Sequence, residues 1–283
     1  ADAVVQDSKI IGVVGPAFSG ESKAANGKLS ANGVPILTIA TNPTLAEQGW
    51  KTFHRVLGND ATQGPAAGRY IKDVLKAQKV FIIDDTSEYG KGLADEVKKV
   101  LTPVATGTIS KGQTDFSALI TRAKDSGADA IYYGGYYAEA GPLLRQLRSQ
   151  DVVATFISGD AVKDDKFIQS AGKDAAEGAI VTCPCVPPDK TGGTFSADFE
   201  KAIGHAPGTY SAEAYDAANI FVAGVKNGKT TRKDMEEFVD AYNGKGVTTM
   251  LKFTDKGELE ASAVAVWIYK VENGRIAAVQ ELP

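Results

Sequence analysis

The sequence from Lys79 to Ala171 alternates short apolar runs with segments that favour helix, and this alternation constrains the fold more than any other feature. The predicted strands lie at 79–85, 104–110, 130–134 and 154–159, and the predicted helices at 93–101, 116–126, 141–149 and 165–171. Apolar runs without polar alternation are typical of parallel strands covered by helices on both faces. The pattern therefore predicts an α/β protein with a doubly wound parallel sheet.

The beginning of the chain shows the same pattern and adds a candidate binding loop. Ile10 to Ser22, IIGVVGPAFSGES, predicts a buried strand, a loop rich in glycine and proline, and the start of a helix. A second apolar run, Val34 to Ala40, leads into Thr41. Ligands bind at the carboxyl ends of such strands, and the free N–H groups of a following helix favour an anion. We expect a small anion such as a carboxylate to bind here, with the Ser19 hydroxyl as a donor.

A nucleotide site is the alternative interpretation of this loop. Gly15, Gly20 and Ser22 reproduce the spacing of a phosphate-binding loop, but Glu21 stands where that motif has lysine. A carboxylate at that position repels the phosphates that lysine would neutralise. The sequence therefore argues against a phosphate loop.

Length and charge limit the possible partners. The chain has 283 residues, 43% of them hydrophobic, which predicts two lobes on a prior of about 100 to 200 residues per domain. Lys and Arg number 31 against 35 Asp and Glu, a net charge of −4 without blocks of one sign, so no nucleic-acid partner is expected. No apolar run approaches the ~20 residues of a membrane span.

Metal, redox and catalytic chemistry have little support in the sequence. The two histidines, His54 and His205, are too few for a metal site unless cysteines or carboxylates lie beside them. Cys183 and Cys185 are expected to be free thiols, because a bridge across Pro184 would close a small ring. No metal and no cofactor is expected.

An enzyme is the hypothesis from another functional class, for example a hydrolase with Ser19 or Ser158 as nucleophile. No G-x-S-x-G elbow occurs, and neither histidine has the order and context that a Ser, Asp and His triad requires. We therefore predict that the protein is not an enzyme.

Several segments together resemble the branched-chain amino-acid binding proteins of ABC importers, and the resemblance runs through essentially the whole chain. The segments are GPAFSGES at 15–22, ATNP at 40–43, Gly64-Pro65, DDTSEYGKGL at 84–93, GGYYAE at 134–139 and EAYDA at 213–217.

The resemblance implies a type I periplasmic binding fold, in which two doubly wound parallel-sheet lobes are joined by three crossovers. The expected lobes are residues 1–58 with 186–257, and 59–185 with 258–283. Members of the family begin with a strand, a helix and a second strand before the point that matches Ala1. The first lobe is therefore expected to be truncated at its N-terminus, by at least the roughly 30 residues of a βαβ unit.

The resemblance also implies a site between the lobes for a small amino acid. Ser19 and the Thr41 N–H would hold the ligand carboxylate, and the Thr41 hydroxyl would meet the ammonium group. The remaining ligand-binding residues would be Asp160 and a carbonyl of Ile39 or Ala40 for the ammonium group, and Tyr89 and Tyr136 for the wall of the site.

These implications define the expected partners and location. The protein would be a monomer that delivers a branched-chain or other aliphatic amino acid to the permease of an ABC importer. It would lie in the periplasm or outside the cell, either free after signal-peptide removal or held by a lipid anchor. Two alternatives remain open: the ligand-sensing domain of a receptor, and a binding protein for another small carboxylate or amide.

Overall fold

The computed structural model describes residues 1–282, and they divide into two compact units. The first unit comprises residues 1–59 and 185–265, and the second comprises residues 60–184 and the chain from Val266 onward. Each unit is described separately below.

Helices occur throughout both units. The α-helices in residues 1–282 are α1 Asp2–Gln6, α2 Ser19–Ala31, α3 Asp60–Arg69, α4 Glu88–Lys98, α5 Ser117–Ser126, α6 Tyr137–Ser149, α7 Asp165–Ala171, α8 Lys173–Ala176, α9 Phe195–Ile203, α10 Ser211–Lys226 and α11 Arg232–Asp240. None of them combines the length and the apolar character that crossing a membrane requires.

Strands occur in three sheets. In the same residues the strands are β1 Val13–Val14, β2 Ile36–Thr38, β3 Phe53–Arg55, β4 Val80–Asp84, β5 Ala105–Thr108, β6 Ala130–Gly134, β7 Thr155–Ser158, β8 Ile180–Cys183, β9 Asn243–Lys245, β10 Met250–Lys252, β11 Val266–Glu272 and β12 Arg275–Leu282.

The first unit contains a parallel sheet of three strands in the order β1-β2-β3. Its apolar core includes Leu37 from the sheet, Ile220 from α10 and Met235 from α11. The strand predicted from Ile10 is shorter than expected, because the Ile10 carbonyl accepts a hydrogen bond from the side chain of Arg232 at 2.9 Å. A second, antiparallel pair joins β9 to β10, and β9 had no counterpart in the sequence prediction.

The second unit contains a sheet of seven strands in the order β12-β11-β8-β7-β6-β4-β5. The five strands from β8 to β5 are parallel, and β11 and β12 form an antiparallel hairpin near the end of the chain. The parallel part confirms the α/β prediction. Its strand ends place polar residues along one edge, as expected for parallel strands.

Both faces of this sheet are buried, which explains its continuous apolar strands. Ile82 and Tyr132 are neighbours across two strands and pack with Leu93 of α4 on one face. Phe156 precedes Ile157 in β7 and points to the opposite face of the sheet, where it stacks with Phe167 of α7. Since adjacent residues of a strand point to opposite faces, apolar side chains are needed at every position.

The cysteines differ from the sequence prediction. Cys183 and Cys185 are both disulfide-bonded, and the described chain has no free cysteine. Side chains two positions apart on extended backbone point to the same side, which brings the two sulfurs together in spite of Pro184. The expectation of free thiols is therefore wrong.

Candidate functional site

Ser19 begins α2 directly after the loop that follows β1. The residue is buried, and its Oγ atom accepts a hydrogen bond from the Asn42 N–H at 3.2 Å. Ser19 is the acceptor in this bond, so the bond does not use its hydroxyl proton. Because Asn42 follows Thr41, this bond brings the two strand-end loops of the first unit together.

The loop before α2 is fixed to the neighbouring strand by one carbonyl. The Pro16 carbonyl accepts hydrogen bonds from the Thr38 hydroxyl at 2.6 Å and from the Ser22 hydroxyl at 3.2 Å. Gly15 has a φ of +116°, a backbone conformation that side-chain-bearing residues rarely adopt. The loop is thus held in one position relative to β2, and the first N–H groups of α2 are held with it.

Arg55 is the residue of this region that the sequence prediction missed. Its side chain is fully buried, and its guanidinium donates to the carbonyls of Ala40 at 2.5 Å and Asn42 at 2.9 Å. Its Nε atom lies 3.1 Å from the Glu258 carboxylate. An arginine inside the apolar run FHRVL was a usable signal, because a buried charge requires partners.

The first unit therefore presents hydrogen-bond donors around Thr41. Thr41 is buried, Ile39 is half-buried, and the Ala40 carbonyl accepts from Arg55. Ser19 is the first residue of α2, and its hydroxyl contacts the N–H of Asn42, the residue after Thr41. Donors at a helix N-terminus stabilise an anionic group such as a carboxylate. We call Ser19, Thr41 and the first turn of α2 the donor cluster.

Tyr89 lies in the first turn of α4, and two features of the sequence position it. The Ser87 hydroxyl caps the helix by accepting from the Gly90 N–H at 2.9 Å. A side chain at either Gly90 or Gly134 would collide with the backbone of the other, so only glycine allows α4 to approach the end of β6 this closely. The helix consequently begins at Glu88, five residues before the predicted start at Leu93.

Asp160 is a buried acidic residue of the second unit. It begins a short 3₁₀ helix after β7, and only 4% of its surface is exposed. The Tyr89 hydroxyl donates to Asp160 Oδ1 at 2.8 Å and accepts from the Ala161 N–H at 3.3 Å. Tyr89 therefore orients the Asp160 carboxylate as well as contributing an aromatic surface.

Tyr136 completes this group. It is the residue before α6, it is half-buried, and its ring centroid lies 5.2 Å from that of Tyr89 with the planes tilted by 46°. The two rings form an apolar surface beside a carboxylate. We call Asp160, Tyr89 and Tyr136 the acceptor cluster.

Three further tyrosines of the second unit, Tyr132, Tyr133 and Tyr137, have packing roles. Tyr132 and Tyr133 are fully buried. Burial raises the pKa of Tyr132 well above its ordinary value, and the negative charges of Asp60 and Asp160 raise it further. Tyr137 is half-buried beneath the ammonium group of Lys166, which lies 5.7 Å from the ring centroid.

Other residues of the matching segments have supporting roles. The Asp216 carboxylate accepts from the N–H groups of Val247 at 2.8 Å and Thr248 at 2.9 Å. In the second unit, Asp85 Oδ1 accepts from both the hydroxyl and the N–H of Ser87. Burial raises the pKa of Asp85 although these hydrogen bonds oppose the increase. These carboxylates hold loops rather than face a ligand.

The structure thus brings the predicted site residues together in two groups. Ser19, Ile39, Ala40 and Thr41 lie in the first unit, and Tyr89, Tyr136 and Asp160 lie in the second. One further group in residues 1–282 has the donor atoms that a metal ion requires, namely His54, Glu236 and Asp240.

Comparison with protein families gives a match over nearly the whole chain. A family model described as "Periplasmic binding protein" matches residues 1–275. Among curated relatives, "Leu/Ile/Val-binding protein homolog 1" of Brucella abortus is 36% identical over 276 residues, which cover 93% of this chain and 72% of the relative.

Solved structures give the same result for the fold. The leucine-binding protein LivK of Thermotoga maritima superposes with a TM-score of 0.90 at 25% identity, covering 99% of this chain and 82% of the other. The branched-chain amino-acid binding protein LivJ of Streptococcus pneumoniae was solved in complex with isoleucine. It superposes with a TM-score of 0.89 at 26% identity, and the match covers 99% of this chain and 83% of LivJ.

Proposed function

This chain belongs to the periplasmic binding protein family, and we propose that it is the extracytoplasmic component of an ABC importer that binds a small aliphatic amino acid. The observation that carries this proposal is the opposite chemistry of the two clusters. The donor cluster suits an anionic group, and the acceptor cluster holds a buried carboxylate that suits a cationic group. An α-amino acid carries both groups on one carbon atom.

The ligand carboxylate is assigned to the donor cluster. The Ser19 hydroxyl, the Thr41 N–H and the first N–H groups of α2 would donate to it. Charge-assisted hydrogen bonds of this kind are roughly twice as strong as neutral ones. Support comes from the rigid placement of the loop by Pro16 and Arg55, which lowers the entropy lost on binding.

The ligand ammonium group is assigned to Asp160, the Thr41 hydroxyl and the Ile39 carbonyl. Between the two carbonyls that the sequence proposed, Ile39 is favoured because the Ala40 carbonyl already accepts from the Arg55 guanidinium. A second cation beside that guanidinium would be repelled. An ionised carboxylate has about four lone-pair sites, so Asp160 can accept from a ligand ammonium group as well as from protein donors such as Tyr89.

The aliphatic side chain is assigned to the rings of Tyr89 and Tyr136. Their mutual contact gives an apolar surface next to the charged group, the usual composition of a small-molecule site. Relatives named for leucine, isoleucine and valine support this side-chain class, and one Pseudomonas aeruginosa relative is named for threonine and alanine as well.

The remaining parts of the proposal concern context. The partner is the membrane permease of the importer, the protein acts as a monomer, and it binds its ligand without chemical change. An extracytoplasmic location agrees with the disulfide-bonded state of Cys183 and Cys185, because disulfides persist in oxidising compartments.

Isothermal titration calorimetry with leucine, isoleucine, valine and alanine tests the proposal. We expect saturable binding of at least one of them, and at least tenfold weaker binding of 4-methylpentanoate, which is leucine without its ammonium group. Asp151→Asn is a matched control, because it removes an exposed carboxylate of the second unit at a positive φ that asparagine tolerates. Binding of 4-methylpentanoate as tightly as leucine would contradict the proposal and favour a carboxylate-binding protein.

A further inference from the structure

In the first unit, His54 lies beside the carboxylates of Glu236 and Asp240, which are far from it in sequence. It is the middle residue of β3 and only 2% exposed, whereas Glu236 and Asp240 belong to α11. Residues four apart on a helix share a face. One donor atom from each of the three side chains lies within 4.8 Å of the others, and His54 Nε2 is 2.9 Å from Asp240 Oδ1.

Glu236 is the member of this group whose environment calls for a cation. Both of its carboxylate oxygens are buried and have no hydrogen-bond partner. A buried carboxylate without a partner is costly, and a bound cation removes that cost.

The basic residues of α11 do not supply the missing charge. Arg232 is one helical turn before Glu236, but its guanidinium donates to backbone carbonyls near the start of the chain, including those of Val4 and Ile10. Lys233 pairs with the exposed Glu237. Within residues 1–282, no lysine or arginine forms an ion pair with Glu236 or Asp240.

We propose that His54, Glu236 and Asp240 form a binding site for a divalent transition-metal ion, with Zn²⁺ as the preferred ion. One imidazole and two carboxylates are a suitable donor set for zinc, with a water molecule in the fourth position. Zinc bonds of 2.0–2.2 Å place the donor atoms of a tetrahedral site about 3.4 Å apart. Asp240, which is 60% exposed, has the freedom to turn its carboxylate to that distance.

The proposed ion would join β3 to α11, two elements of the first unit that are far apart in sequence. None of its ligands belongs to the donor cluster, so the site is independent of amino-acid binding. A ligand that binds only the folded state raises stability with its concentration. Zinc would therefore stabilise the first unit rather than take part in transport chemistry.

Calorimetry with ZnCl₂ tests the site directly, on full-length protein without a histidine tag, after treatment with EDTA, in buffer at pH 7.5. We expect one zinc ion to bind wild type, with at least tenfold weaker binding to Glu236→Gln and to Asp240→Asn. Glu237→Gln is the matched control, since it removes a carboxylate from the same helix outside the group. His205→Gln controls for the other, exposed histidine. Both controls should bind zinc as wild type does.

Thermal unfolding provides a second readout that does not depend on heats of binding. At a free zinc concentration about 100 times the dissociation constant, we expect the midpoint to rise by several degrees in wild type and in Glu237→Gln. In Glu236→Gln, zinc should change the unfolding midpoint by no more than about one degree. Circular dichroism checks that this variant is folded. Absence of zinc binding to wild type, or equal binding by wild type and both α11 ligand variants, would overturn the proposal.

Discussion

The donor cluster and the acceptor cluster are both built from strand-end loops, yet their chemistry is opposite. In the first unit the buried Arg55 guanidinium lies beside the donor cluster, where it donates to the carbonyls of Ala40 and Asn42 and so fixes the backbone of that loop. In the second unit the buried Asp160 carboxylate is itself part of the cluster, and the Tyr89 hydroxyl donates to it. We therefore expect the first unit to bind mainly through backbone N–H groups and the second unit through a side chain.

The largest effect should follow from removal of the Asp160 carboxylate. Asp160→Ala leaves the ligand ammonium group without its charged partner, and the expected cost is about 2 to 5 kcal/mol of binding free energy, on the order of 30-fold or more in affinity. Calorimetry with leucine measures it. If Asp160→Ala binds as tightly as the Asp151→Asn control, the acceptor cluster does not bind the ammonium group.

A smaller loss should follow from Ser19→Ala. This change removes one hydrogen bond to the ligand carboxylate and one acceptor for the Asn42 N–H. Because several N–H donors remain, we expect about 1.5 to 3 kcal/mol, or roughly 10- to 100-fold in affinity. Ser117→Ala, in the exposed first turn of α5, is a suitable control and should leave leucine affinity unchanged. An effect of Ser19→Ala larger than that of Asp160→Ala would reverse the ranking of the two clusters.

Tyr89→Phe should have the smallest effect on binding. The ring and its contact with Tyr136 remain, while the hydroxyl that orients Asp160 is lost. An indirect effect of about 0.5 to 1.5 kcal/mol, a few-fold to tenfold in affinity, is expected. The loss should be similar for leucine and valine, since the aromatic surface is unchanged. A strong change in preference between these two ligands would show that the hydroxyl contacts the ligand side chain.

Stability should also depend on pH, through the buried carboxyl group of Asp85. Burial raises the pKa of Asp85 above its ordinary value of 3.8, so the folded state holds its proton to higher pH than the unfolded state does. Its contribution to stability is therefore complete below about pH 3.8 and is lost as pH rises through the folded-state value. Urea unfolding of wild type and Asp85→Asn should show curves that diverge as pH rises above 3.8. Parallel curves would contradict this interpretation.

Most of the fold followed from local sequence. Continuous apolar runs identified the parallel strands, because both faces of the sheet are covered. The start of α4 and the pairing of β9 with β10 were harder to predict from the sequence. The start of α4 depends on the close contact between Gly90 and Gly134, and the pairing joins two short, largely exposed strands. Neither contact leaves a local sequence pattern.

The candidate site was predictable in its residue types but not in its supporting contacts. Ser19, Thr41 and Asp160 could be selected because polar residues at strand ends converge, and their role in binding stays a prediction. The contact of Arg55 with the Ala40 carbonyl joins residues 15 positions apart, and the contact of His54 with Asp240 joins residues 186 apart. Such contacts depend on packing that no local sequence pattern encodes.

The central claim is that Ser19 binds the carboxylate and Asp160 binds the ammonium group of the same ligand, and a ligand-variant cycle tests it most directly. Wild type, Asp160→Ala and Ser19→Ala are titrated with leucine, with 4-methylpentanoate and with 3-methylbutylamine, which lacks the carboxylate. Asp160→Ala should weaken leucine and the amine but leave 4-methylpentanoate unchanged, and Ser19→Ala should weaken leucine and 4-methylpentanoate but leave the amine unchanged. Equal losses for all three ligands in either variant would contradict the division of recognition between the two clusters.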